Sequence, residues 1–149
     1  MSIEKDGRIK SILDELHKNW YLKNKDGGCT ARAKLLYVVL KSLGYDAKIL
    51  RYYVKGGNPE KQEYKGDLYL GGNAFPTHVV VESGGYILDA NMGKIMKKID
   101  YERKLADTSG YDIEFQHYQR YERNLTLCKE CKEYIHKYNL EKTAKLLKF

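Results

Sequence analysis

Residues 30 to 43 constrain the fold more than any other stretch. Ala31, Leu35, Val39 and Leu43 form one stripe at helical spacing, and Leu36, Val38 and Leu40 widen it. A helix apolar over so much of its circumference belongs at the centre of a domain, covered on most sides. Gly27-Gly28 precede it, and Gly44 follows as a glycine able to take the left-handed conformation that ends helices. The rest of the chain must supply the layers that cover it.

The flanking segments offer those layers. Ile9, Ile12, Leu13, Leu16 and Trp20 share one face of a predicted helix over 8–22, with Asp6 as its N-cap. A strand is expected from about Ala47 to Val54, rich in Ile, Leu, Tyr and Val. Residues 55–76 hold five glycines and both prolines and read as a long loop, with a short strand at Leu68 to Leu70. Thr77 to Val81 and Tyr86 to Leu88 read as two strands joined by a tight turn through Ser83-Gly84-Gly85. After Met92 the pattern turns charged and helical. Tyr118, Tyr121, Leu125, Cys128, Ile135 and Tyr138 predict one long helix or two shorter ones. Helices and strands are segregated, which argues an α+β fold with a largely antiparallel sheet and a helical C-terminal tail.

The 149 residues suit a single domain over 1–149 with its own core. No apolar run reaches the roughly 18 residues of a membrane span, and the start, Met-Ser-Ile-Glu-Lys-Asp, has no apolar signal core. The expected location is the cytoplasm, with no membrane partner. Net charge is +7, from 27 basic and 20 acidic side chains. That charge permits an acidic partner or nucleic acid, but the basic residues are dispersed and read first as a solvated surface. The 14 tyrosines against 3 phenylalanines read as half-exposed core.

Cys29 follows two glycines and opens the central helix. Unpaired backbone N–H groups and the helix dipole favour a thiolate there. The Cys29 N–H is itself an oxyanion donor candidate, with Trp20 and Asn24 as candidates for a second. His78 begins one strand of the predicted hairpin and Asp89 ends the other, which makes them neighbours at one sheet edge. An aspartate there fixes the imidazole tautomer while the imidazole activates a thiol. Cys29, His78 and Asp89 are therefore the candidate catalytic residues. Each alone reads as an ordinary packed or hydrogen-bonded side chain; their combination carries the signal.

The segment GGCTARAKLLYVVLKSLGYDAKIL resembles the nucleophile motif of the transglutaminase-like superfamily, and THVVVESGGYILDANMG resembles its histidine and aspartate strands. Tyr86-Ile87-Leu88-Asp89 through Gly93 is also similar to the aspartate context of arylamine N-acetyltransferases. The resemblance spans roughly residues 25 to 93. It implies a papain-like cysteine protease core and chemistry through an acyl-enzyme: Cys29 as nucleophile, His78 as base and acid, Asp89 as orienter. It implies no cofactor or metal, and a protein or peptide amide as substrate. Two departures stand out. The chain is much shorter than an arylamine N-acetyltransferase, and Val79 replaces the aromatic residue common after the histidine. The acceptor stays open between water (protease or deamidase) and an amine (transglutaminase). An arylamine N-acetyltransferase-like activity, or an inactive nucleic-acid-binding or scaffold module, are the alternatives.

Cys128-x-x-Cys131, with His136 and His117, holds four residues of zinc-ligating type, but the spacing falls outside common zinc patterns. Reduced cysteines packed on a helix are expected, with Cys128 on its apolar stripe. Asp112, Glu114 and Glu122 read as solvated helix charges. Lys94, Lys97, Lys98 and Arg103 form a basic stretch that reads as a solvated face.

Overall fold

The structure, a computed structural model, describes residues 2–19 and 28–140. The central helix runs over Gly28–Ser42 (α2) and buries Arg32, Ala33, Leu35, Leu36, Val38, Val39 and Leu40. It begins two residues earlier than its periodicity predicts, so Cys29 lies within its first turn. Its end is a Schellman motif: Tyr45 N–H donates to Leu40 O (2.9 Å) and Gly44 N–H to Lys41 O (3.1 Å). Gly44 takes φ +88°, which a side chain would resist.

Helix α1 (Gly7–Lys18) packs beside α2 and buries Ile9, Ile12, Leu13 and Leu16. Asp6 caps it, accepting from Arg8 N at 3.0 Å, and also accepts from the Tyr45 hydroxyl at 2.9 Å. One carboxylate thus ties the start of α1 to the end of α2. The helix ends at Lys18, where Asn19 takes an extended conformation as its C-cap, short of the expected residue 22; residues 20–22 lie outside the described residues.

Five strands form an antiparallel sheet: β1 (Lys48–Val54), β4 (His78–Ser83), β5 (Tyr86–Asp89), β6 (Lys94–Lys97) and β7 (Ile113–His117), in the order β6-β5-β4-β1-β7. The strands β2 (Leu68–Leu70) and β3 (Asn73–Phe75) make a separate hairpin. Helix α3 (Lys98–Ser109), through Tyr101 and Leu105, and that hairpin cover one face of the sheet, over Leu50, Tyr52, Val80 and Ile87. Helices α1, α2, α4 (Gln119–Arg123) and α5 (Lys129–Lys137) build the core of the other, over Ile49, Val79, Val81 and Leu88. The fold is α+β, as the segregation of elements implies. Among the described residues no helix is long and apolar enough to cross a membrane.

The tail departs from expectation. Residues after Met92 do not stay helical: β6 and β7 are the two edge strands of the sheet. Asp112 and Glu114 are not helix charges, since Glu114 lies in β7 and Asp112 just before it. Glu122 does lie on a helix, but it is not simply solvated. It accepts from Ile49 N (2.7 Å) and pairs with His117 Nε2 (2.6 Å), which clamps α4 against the sheet. The tail helices α4 and α5 are short and separate. Cys128 is the N-cap residue of α5 rather than a position on its stripe. Lys98 of the basic stretch is partly buried, 3.7 Å from the Phe115 ring centroid and 3.8 Å from Glu82 Oε2.

The β5–β6 turn is the tightest packed. Gly93 takes φ +68°, and a Cβ there would lie 2.7 Å from His17 Cγ. His17 Nδ1 meanwhile meets Asn91 O at 2.9 Å. Gly93→Ala should therefore cost about 2–3 kcal/mol, from left-handed strain plus the displaced ring. Gly84→Ala, equally left-handed but in open space, should cost about 1 kcal/mol. Urea denaturation of both variants tests the difference; equal losses would mean that His17 does not confine the turn.

Candidate active site

The β4–β5 hairpin sets the first two members of the site. Its two-residue turn uses Gly84 (φ +56°) and Gly85 (φ +83°), the type I′ signature that fixes register. Val81 pairs with Leu88 and Glu82 with Ile87. Continued outward, that register sets Asp89 opposite Val80, diagonal to His78 on the same face. Diagonal neighbours are within reach of long side chains, and His78 Nε2 meets Asp89 Oδ2 at 3.0 Å. Both are about 1% exposed. They lie at strand ends in the interior of the sheet, β4 being its central strand, and not along a lateral edge.

Asp89 is saturated with donors. Tyr101 of α3 donates its hydroxyl to Oδ2 at 2.6 Å, and Oδ1 accepts from the backbone N–H groups of Asn91 (2.7 Å) and Met92 (3.2 Å). Burial alone would raise its pKa; the His78 imidazolium, the Tyr101 hydroxyl and the turn amides outweigh it, and the carboxyl is held below its ordinary range. Tyr101 is pushed well above an ordinary phenol by burial and the same carboxylate, so it remains a donor.

Cys29 joins from α2. Its half-buried thiol shares a small enclosed space with His78, Val79, Asp89 and Asn91, too tight to admit water. Asp89 occupies His78 Nε2, which leaves Nδ1 for the thiol. That nitrogen is buried and makes no regular hydrogen bond, as in a loosely set apo triad. Burial pushes the Cys29 thiol up. His78, the Val79 backbone N–H and the Thr30 hydroxyl more than offset this, so its pKa is lowered. Burial would depress His78; Asp89 first, then Cys29, push it up instead, to about 10. Both shifts run toward a thiolate and an imidazolium. Phe75 of β3 stacks on the imidazole, with centroids 4.8 Å apart at 27°.

Sequence reasoning missed two members. Tyr101 has no local signal, since only α3 packing across the sheet delivers it. Arg32 had one: it lies a turn after Cys29 on the apolar circumference of α2. It is 2% exposed and donates to Gly28 O (3.2 Å), Ala90 O (3.4 Å), Leu16 O (3.5 Å) and Asn91 Oδ1 (3.1 Å). It therefore joins α1, α2 and the β5–β6 turn beneath the thiol. Trp20 and Asn24 lie outside the described residues. A roomy open concavity, about 840 Å³ between β1, β7 and α3, does not include the thiol; its lining includes Tyr53, Glu102, Asp112 and Phe115 and no cysteine. Among the described residues no cluster of three or more His, Cys, Asp or Glu side chains could hold a metal ion, and His117 is taken by Glu122.

Set against protein-family models, curated proteins and solved structures, the chain matches none of them.

The elevated His78 pKa has a signed consequence. A group protonated when folded but neutral when unfolded stabilises the fold. The His78 contribution is complete below about pH 6.5, the ordinary histidine value, and is lost as pH rises toward the folded value. In Cys29→Ala, which removes the thiol titration, urea-measured stability should fall across this window, which closes at or below about pH 10. Adding Asp89→Asn should flatten that slope, because Asp89 is the main charge holding the proton. Matching slopes in the two variants would show that Asp89 does not hold it.

Proposed function

We propose that this protein is a thiol-dependent acyl-transfer enzyme of transglutaminase-like type, acting on amide bonds of a protein or peptide. One observation carries the reading: a buried imidazole, fixed through Nε2 by a carboxylate, lines one small space with a half-buried thiol from the first turn of a helix, and its other nitrogen, Nδ1, makes no regular hydrogen bond. The transglutaminase-like motifs at Cys29, His78 and Asp89 support the same assignment.

The Cys29 thiolate attacks the substrate carbonyl, and the Cys29 backbone N–H stabilises the developing oxyanion. His78, already protonated, gives its proton to the departing amine. The acyl-enzyme then passes its acyl group to water or an amine, whose proton His78 accepts. Asp89 keeps Nε2 occupied throughout, so Nδ1 is the atom that exchanges protons. Tyr101 and the Asn91 and Met92 amides hold Asp89 still and ionised.

Alkylation rates test this without knowledge of the substrate. Iodoacetamide should label wild-type Cys29 rapidly well below pH 8.5, the value of a free thiol. In His78→Ala the profile should move toward that value, and Asp89→Asn should lie between. Cys29→Ser should keep its fold, because serine is tolerated at a helix start, and should lose all turnover. If wild type and His78→Ala titrate alike, Cys29 is not activated, and a binding module becomes the better description.

A further inference from the structure

Cys128 and Cys131 play no part in the chemistry above, yet their arrangement is asymmetric in a useful way. Cys128 is the N-cap residue of α5 and half-buried; Cys131, in the first turn, is fully buried. Their sulfurs are 3.2 Å apart, and Cys131 Sγ lies 3.7 Å from Ala31 O in α2. Cys128 is the more accessible residue of the pair. The backbone of Cys128 is extended (φ −68°, ψ 164°), so its side chain is free of the helical lattice. A disulfide needs a sulfur separation of about 2.05 Å, so side-chain torsion of about 1 Å is enough to close the gap.

We propose that Cys128 and Cys131 are a redox-active pair that closes to an intramolecular disulfide by exchange with a low-molecular-weight disulfide. The Cys128 thiolate attacks one sulfur of the small disulfide, forming a mixed disulfide and releasing the first small thiolate. The Cys131 thiolate then attacks the Cys128 sulfur and displaces the second. Two protein thiols give up two protons and two electrons, and the small disulfide becomes two small thiols. Cys128 is the entry thiol because it is the less buried of the two, and Cys131 the resolving thiol because it is buried against it. The proposal is independent of the catalytic reading of Cys29, although Cys131 abuts the turn of α2 that carries it.

Stepped mixtures of reduced and oxidised glutathione, followed by acid quench, alkylation and peptide mass mapping, test the pair in the intact chain. The peptide spanning both residues should lose two hydrogen atoms and its capacity for label in a single two-electron transition. In Cys131→Ser or Cys131→Ala the reaction should stop at one glutathione on Cys128. Cys128→Ser, in which serine suits the N-cap position, should leave Cys131 unlabelled until the protein is unfolded. Three results would overturn the proposal: both thiols free in glutathione disulfide alone, a stable mixed disulfide on wild-type Cys128, or a disulfide from either residue to Cys29.

Discussion

Asp89 is the fixed point of the molecule. It is a carboxylate about 1% exposed, and such burial is costly unless every lone pair is used. Four donors meet that need, from β4, from α3 and from two amides of the turn that follows. Together they come from three different pieces of the fold. Satisfying the carboxylate therefore aligns the central strand, the covering helix and the β5–β6 turn together. The turn in turn presents Asn91 to Arg32, and Arg32 seats α2.

The buried charges balance around this point. Arg32 and Asp89 contribute one of each sign, and the shifts of Cys29 and His78 run toward another such pair. Arg32 feels both Cys29 and Asp89 electrostatically, although it bonds only to carbonyls and an amide oxygen. The cavity admits no water to screen these charges. Replacing Arg32 or Asp89 by an apolar side chain would leave the other without its opposite charge, a costly outcome in a low-dielectric interior, whereas Cys29 and His78 can answer a loss by exchanging a proton. Such a site tolerates internal proton movement better than the loss of a member.

Much of the fold was legible because its signals are local. The apolar circumference of α2, the Gly44 cap, the Asp6 cap and the Ser83-Gly84-Gly85 turn are each decided within a few residues. The hairpin then brings His78 to Asp89 without help from the rest of the chain. Strands β6 and β7 were not legible. Lys94-Ile95-Met96-Lys97 and Ile113-Glu114-Phe115-Gln116-His117 are short edge strands embedded in charged sequence, and they are strands because β5 and β1 offer open edges. Glu122 looked solvated because its partners, Ile49 N and His117, come from the sheet. Tyr101 and Phe75 were hidden for the same reason: only tertiary packing brings them to the imidazole.

The type I′ hairpin also implies an order of events. His78 and Asp89 are eleven residues apart, joined through a two-residue turn, so little chain entropy is lost in bringing them together. Cys29 reaches them only after α2 docks on the finished sheet, a contact of far greater sequence separation, and such contacts are slow to form. During synthesis or refolding the imidazole and carboxylate therefore meet while the thiol is still unpaired and of ordinary reactivity. The Cys29 thiol joins the pair last, when the fold around it is already in place.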